Sequence, residues 1–264
     1  MRVGDELATE AVRMNMARYC VTEAIIIRNQ DFRETDKMVT FFARREGKLR
    51  AIAKGTRKPN SSLRPTIQPF CHSCLHLSQG RELDIITQGR IIEFFGNVRE
   101  ETVKMAHGVY LMELLDRGLA ESDPHPKVFD AALTVLRWLD DRVFSPLAIR
   151  WFEVKLVQEL GYGFNLQECA QCGAKQAAAL SVELGGILCD SCKQVNRGAA
   201  VLSLEGETWA LLKDLEEKEA AFLQRVRPST RAMQEVELIL EKYLEYHLGQ
   251  KFNTKSIVRS LMGR

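Results

Sequence analysis

Four thiols stand in the second half of the chain as Cys169-x2-Cys172 and Cys189-x2-Cys192, a C-x2-C-x16-C-x2-C pattern. Two residues between thiolates let both sulfurs of a knuckle reach one ion, so two knuckles can close a tetrahedral all-sulfur site around zinc. Gly173 follows one knuckle and Gly185-Gly186 leads into the other, which puts conformationally free residues where tight turns are needed. With every position filled by sulfur, none is open to water, so one structural zinc ion is expected and no chemistry at it. Other groups are weaker. Cys71-His72-Ser73-Cys74 is a third C-x2-C, but on a strand its sulfurs point to opposite faces. Asp31, Glu34 and Asp36 could form the divalent-metal site of a nuclease; they alternate with Arg33 and Lys37 and read as a solvated turn. His107, His125 and His247 have no partners at metal-binding spacing. No G-x4-G-K-[ST] loop, G-x-S-x-G elbow or H-E-x-x-H helix occurs, so nothing nominates an enzyme.

Charge supplies the second functional signal. The 264 residues sum to only +2, yet Arg28–Arg64 holds eleven Arg and Lys against four Asp and Glu, a local +7 that leaves −5 for the rest. Such asymmetry suggests a polyanionic partner docking on the basic region. Within it, Lys48-Leu49-Arg50-Ala51-Ile52-Ala53-Lys54 alternates strictly. On a strand, Lys48, Arg50, Ile52 and Lys54 share one face while Leu49, Ala51 and Ala53 turn inward. The strand runs into Gly55-Thr56-Arg57-Lys58, whose cations extend the positive surface. The candidate phosphate contacts are Arg28, Lys37, Lys48, Arg50, Lys54, Arg57, Lys58 and Arg64, each able to displace condensed counterions. Stacking aromatics are scarce. Phe32, Phe41, Phe42 and Phe70 are the candidates, and the adjacent pair Phe41-Phe42 must face opposite ways, which favours sequence-tolerant backbone binding.

These side chains need a frame. Tyr19–Arg28, Met38–Ala43, Lys48–Lys54, Phe70–Leu77 and Arg81–Phe95 read as strands, with Arg44-Arg45-Glu46-Gly47 and Ser78-Gln79-Gly80 as turns. Five short strands at roughly ten-residue spacing suggest a small closed barrel of the OB type. After Asn97 the apolar period becomes helical: Val103, Ala106, Tyr110, Leu114 and Leu115; then Phe129, Ala132, Leu136 and Leu139 behind Pro126. Ser145-Pro146 starts a helix with Ile149, Phe152, Leu156 and Leu160 as its buried stripe and Gly161 at its end. Ser203 is expected to start another with Leu204, Leu211, Leu212 and Leu215 inside, and Met233, Val236, Leu240, Tyr243 and His247 mark a last long one.

The fold class expected is α+β: an OB-type barrel over 16–97, then an all-helical domain over 98–264 carrying a four-cysteine zinc knuckle at about 166–195. Residues 1–15 read as an extension. No apolar run reaches the length of a membrane span and no signal segment opens the chain. Seven cysteines, an odd number, then fit metal and free thiols in a reducing cytoplasm.

At this level of detail the chain resembles a known family. Thr22-Glu23-Ala24-Ile25-Ile26-Ile27-Arg28, the run from Gly47 to Lys58, and Leu63-Arg64-Pro65 with Gln68-Pro69-Phe70 are similar to the RecO family of bacterial recombination mediators. Tyr110–Leu114, Leu160-Gly161-Tyr162, the four cysteines with Gly186–Cys189, and Tyr243–Gly249 continue the resemblance to about Gln250. It implies an OB barrel, a helical domain with a four-cysteine zinc site, and a basic barrel surface at Lys48, Arg50, Lys54, Arg57, Lys58 and Arg64. It further implies a nucleoid-associated, non-enzymatic protein that binds single- and double-stranded DNA and anneals complementary strands. With RecR, such a protein helps RecA replace the single-stranded DNA-binding protein, whose C-terminal tail is a further expected partner. The other reading is a zinc-ribbon RNA-binding factor of transcription or translation. Met1–Asn15 lies outside the family pattern, making Met16 a candidate start, and Cys71 with Cys74 is not a family feature.

Overall fold

The computed structural model describes residues 19–141, 145–196, 198 and 200–261; the extension expected over 1–15 and the candidate start at Met16 lie outside them. Five strands, β1 (Tyr19–Asp31), β2 (Lys37–Ala43), β3 (Gly47–Ala53), β4 (His72–Ser78) and β5 (Asp84–Glu93), close into a barrel in the order β1-β2-β3-β5-β4. This is the five-stranded OB arrangement. Closure rests on the thirteen residues of β1. Tyr19–Ile25 pairs with β4 and Ala24–Asp31 pairs with β2, while β3 and β5 join in parallel. One strand thus serves both sides of the seam and leaves little edge unpaired.

The β1–β2 register shifts between Ile26 and Arg28. Residues two apart on a strand share a face, but this bulge breaks that rule: Ile26 joins the barrel core and Arg28 is exposed. Inside, Ala24, Ala43, Ala51 and Ala53 make room for Phe41, Val39, Leu75, Leu77 and Ile86. Strand β3 follows its alternation, with Ala51 and Ala53 fully buried and Arg50 and Lys54 exposed. A 3-10 turn at Pro65–Ile67 seats Ile67 in the same core, tied down by Asn29 Nδ2 on the Ile67 carbonyl and Ser73 Oγ on that of Thr66, both at 2.8 Å.

The remaining elements are α1 (Asn97–Glu100), α2 (Thr102–Gly118), α3 (Pro126–Asp140), α4 (Leu147–Glu159), β6 (Ala179–Ser181), β7 (Gly186–Leu188), α5 (Asp190–Val195), β8 (Val201–Ser203), α6 (Gly206–Glu217), α7 (Ala220–Leu223), α8 (Thr230–Leu248) and α9 (Thr254–Leu261). Two compact units result. Met112–Phe129 groups with the barrel and its chain up to Arg99; Glu100–Leu111 groups with the chain from Asp130 onward.

In the helical unit, α4 packs against α6, α7 and α8. Its start follows the expected cap, Ser145 Oγ accepting from the Leu147 N–H at 3.3 Å. It ends in a Schellman motif: the Tyr162 N–H donates to the Val157 carbonyl, the Gly161 N–H to that of Gln158, and Gly161 takes φ +85°. The buried surface is wider than the anticipated stripe, since Arg150, Trp151, Glu153, Val154 and Val157 are buried too. Ser203 does not start a helix. It ends β8, which pairs with β6 in a three-stranded sheet that also contains β7, and α6 begins at Gly206. The Leu202–Leu180 pairing holds these residues extended, so the small sheet supplements an otherwise helical domain.

Charges buried around α4 tie the C-terminal helix to it. Glu153, fully buried, meets Arg150 at 2.8 Å, accepts the Tyr110 hydroxyl at 2.5 Å and lies 3.7 Å from Lys255 of α9. Arg259 of α9 pairs with Glu237 at 2.7 Å and with Glu241. Desolvation lowers the Lys255 ammonium to about 8, against the pull of Glu153. Glu153→Ala strands Arg150 and Lys255 without their shared anion, a loss of about 3–5 kcal/mol for a broken buried pair. Urea unfolding should show the helical unit melting early; a change under about 1 kcal/mol, the range of exposed pairs, would show that this network is not what anchors α9.

Candidate nucleic-acid interface and metal centre

The four sulfurs expected to gather do so. Cys169, Cys172, Cys189 and Cys192 offer ligand atoms all within 4.8 Å of one another, and all are free thiols. The first knuckle is a turn after α4, closed by the Gly173 N–H on the Cys169 carbonyl at 2.9 Å. The second begins at Cys189, the N-cap of α5, and reaches Cys192 within that helix. The Ala170 N–H on the Ile187 carbonyl at 2.8 Å stitches the first knuckle to β7. Cys169, Cys189 and Cys192 form a small core with Ala179 and Leu188. A tetrahedral ion with metal–sulfur bonds near 2.3 Å wants sulfurs about 3.8 Å apart, and Cys172 and Cys189 stand at 3.6 Å. The set can hold a metal ion.

The thiols differ in proton affinity. Burial alone would raise the Cys169 thiol, yet N–H groups of Cys189, Gln171 and Cys172 directed at its sulfur bring it down to about 6. Burial, then hydrogen bonding with Cys172, Cys189 and Cys169, pushes Cys192 up to about 12. Without an ion Cys169 therefore ionises more readily than an ordinary thiol, while Cys172 and Cys192 hold their protons more tightly.

The eight candidate cations do not form one free ladder. Lys48 departs from the expectation of an exposed phosphate contact. Its side chain is only 11% accessible, lies 3.8 Å from the Asp116 carboxylate and donates to the Asp116 carbonyl. Desolvation lowers its pKa, partly countered by Asp116 and Glu121. Arg28 pairs with Asp116 at 3.2 Å and Arg50 with Glu121 at 3.0 Å, but both remain nearly half accessible. Lys37 and Arg57 share Asp31, at 2.8 and 3.6 Å. The hydrogen bond from Lys37 holds the Asp31 carboxyl below its ordinary value, with Arg57 adding to it. Lys54 and Lys58 are exposed, and among the described residues neither makes an ion pair. Arg64 is exposed at its surface, but its guanidinium bonds to carbonyls of the basic loop.

Asp116 and Glu121 were not singled out by sequence reasoning. They belong to Met112–Phe129, the helical segment that groups with the barrel, and a bridge between Lys48 and Glu121 lays that segment beside β3. Nothing local to either acid signals the pairing.

Other candidates find ordinary partners. Asp31 serves two cations and Asp36 accepts the Gly55 N–H at 2.9 Å, so these acids are engaged internally; among the described residues only the four cysteines form a metal-sized cluster. Cys71 lies in the barrel core and Cys74 is half-buried. His107 is buried with Nδ1 2.8 Å from the Val103 carbonyl, and burial pushes it down to about 4. His125 meets Asp123, and His247 meets the Val182 carbonyl. His72, also unremarked in the sequence beyond its cysteine neighbours, is buried between Glu23 at 2.7 Å and Glu93 at 3.0 Å. Of the aromatics, Phe41 fills the barrel, Phe42 is covered by Phe129 at 5.8 Å and Phe70 is buried; Phe32 alone of the four is exposed.

The chain thus combines an OB-type barrel bearing a basic loop with a helical domain whose four-thiol cluster can hold a metal ion. Comparison with known proteins gives the family. The family described as Recombination protein O N terminal matches residues 16–95, and that described as Recombination protein O C terminal matches residues 99–256. The chain is 44% identical over 250 residues to the DNA repair protein RecO of Syntrophomonas wolfei, covering 93% of this chain and 99% of that one. Identity to the RecO protein of Symbiobacterium thermophilum is 34% over 254 residues, with 93% and 98% covered. The chain belongs to the RecO family of DNA repair proteins. Among the described residues no helix is long and apolar enough to cross a membrane.

Loading the four-thiol site should release protons, because each ligand binds as thiolate. Because the Cys169 thiol is lowered while those of Cys172 and Cys192 are raised, uptake of a divalent ion should release at least two protons and weaken as pH falls. A weakly buffered indicator titration checks this. Release of fewer than two protons would show that the four sulfurs do not bind as a set.

Proposed function

We propose that this protein is a non-enzymatic DNA-binding and strand-annealing mediator of cytoplasmic, nucleoid-associated DNA repair. It binds single- and double-stranded DNA through the barrel's basic loop, with Lys54, Arg57 and Lys58 as primary phosphate contacts and Arg28, Lys37 and Arg50 joining by exchanging their carboxylates for phosphates. Lys48 supports β3 from beneath. With RecR it helps load RecA onto strands coated by the single-stranded DNA-binding protein, whose C-terminal tail it contacts, as the resemblance implies. One zinc ion stiffens the knuckle; an all-sulfur set with no position left for water fits a structural ion.

The observation that carries this reading is the concentration of exposed cations at the end of β3 on an OB barrel in a chain of the RecO family. Phosphates neutralised there release counterions, and two strands held on one positive surface repel each other less. Duplex formation is downhill, so no nucleotide hydrolysis is needed. Of the four candidate stacking rings only Phe32 is exposed, which fits backbone binding without base readout.

Two measurements test it. Lys54→Glu with Lys58→Glu should weaken single-strand binding and reduce the salt slope by about 1.4, roughly 0.7 for each phosphate no longer neutralised. Asp31→Asn should act oppositely and tighten binding, since it frees Lys37 and Arg57. Annealing of strands coated with their binding protein, with and without RecR, reports the mediator role. Preference for RNA in competition together with failure to speed annealing would favour the RNA-binding reading.

A further inference from the structure

Arg64 lies in the basic region, but its guanidinium is turned onto the chain. Nε donates to the Thr56 carbonyl at 3.1 Å, and Nη2 donates to the carbonyls of Arg57 at 2.8 Å and Lys58 at 3.1 Å. A guanidinium grips phosphate best with two parallel N–H groups. Here the Nε–H and both Nη2 hydrogens are occupied, which leaves only Nη1. The Arg64 backbone is itself tied, its carbonyl accepting from Gln68 Nε2 at 2.8 Å.

The loop it grips is otherwise held by short bonds of its own and by the β1–β2 connection at Thr35 and Asp36. Gly55 takes φ +64°, in the left-handed region, and donates its N–H to Asp36. The Arg57 N–H donates to the Thr35 carbonyl at 3.1 Å, the Lys58 N–H to that of Gly55 at 3.2 Å, and Thr56 Oγ1 to that of Ala53 at 3.2 Å. Three successive carbonyls, from Thr56 to Lys58, then converge on one side chain. Without those three bonds the segment would be less ordered, and part of its ordering would become an entropic cost of binding. We infer that Arg64 is a positioning residue: it staples Thr56–Lys58 in advance so that Lys54, Arg57 and Lys58 present a fixed spacing to phosphates, without contacting phosphate itself. The inference rests on the DNA-binding role of this loop proposed above.

Arg64→Lys keeps the charge, but three donors on one ammonium cannot reproduce the planar fork. Single-strand affinity should fall about five- to ten-fold with the salt slope unchanged, while amide exchange of Gly55–Lys58 in the free protein quickens. Gly55→Ala keeps every cation and strains the turn; its Cβ has room, with Lys58 Cδ nearest at 3.8 Å, so it should fold and show the same signature. Lys58→Gln instead lowers the slope by about 0.7. Full affinity in Arg64→Lys, unaltered exchange, or a reduced slope would each overturn the positioning role. If Lys58→Gln and Lys54→Gln leave the slope untouched, the DNA reading fails, whatever Arg64 does.

Discussion

Cations on this barrel meet carboxylates of the same chain before they meet any partner. Asp31 neutralises Lys37 and Arg57, Asp116 neutralises Arg28 and Lys48, and Glu121 neutralises Arg50. At these five cations a polyanion must therefore win an exchange, whereas at Lys54 and Lys58 it meets, among the described residues, no carboxylate already paired. Whether it can is decided by burial. Where both partners stay hydrated, as with Arg57 and Asp31, the pair is weak and screened by salt, so a phosphate array can take over the cation. Lys48 is largely desolvated and also donates to a backbone carbonyl, so extracting it would leave that buried carbonyl contact unmade. The interface is sorted by accessibility within a region whose composition looks uniformly basic.

Much of this frame was legible because it is local. Strict alternation from Lys48 to Lys54 placed Ala51 and Ala53 inside, Gly47 marked a turn at φ +77°, and the C-x2-C pairs brought four sulfurs together. Gly161 and Ser145 closed α4 as their types imply. What escaped is non-local or too short to show a period. Asp116 and Glu121 lie about seventy to ninety residues from the cations they pair with. The bulge between Ile26 and Arg28 inverts a face without any glycine to announce it. Strands β6, β7 and β8 have three residues each, below the length at which alternation can be recognised. Helix α9 is short, and its Lys255 reads as a solvent cation until the carboxylates beneath it are seen.

The two compact units solve opposite electrostatic problems. In the helical unit, charge is buried and paired around Glu153, where breaking a partner is expensive and the geometry fixes one docking of α9. In the barrel unit, charge is kept near water, where pairs exchange readily. The cysteine module follows the first pattern by other means. Its core of Cys169, Ala179, Leu188, Cys189 and Cys192 is too small to hold a fold by apolar burial alone. A metal bound by the four thiolates would supply cohesion that side-chain volume cannot.

Weak internal pairing also suits the annealing proposed for this chain. Were every cation unopposed, as Lys54 and Lys58 are among the described residues, each phosphate would be gripped firmly and strands would slide less readily to test register. Each carboxylate subtracts from the net gain of a phosphate contact, since the cation gives up one anion to take another. The sum over several contacts can still hold a strand, while each contact opens and closes on its own. Such a surface would be sensitive to salt, since added ions screen its contacts with phosphate as well as its internal pairs. A prearranged loop keeps the spacing of the cations constant through these exchanges, so mobility belongs to the strand and not to the protein. The annealing proposed here would thus ask for a rigid scaffold bearing shallow electrostatic contacts, which is the arrangement inferred for the loop held by Arg64.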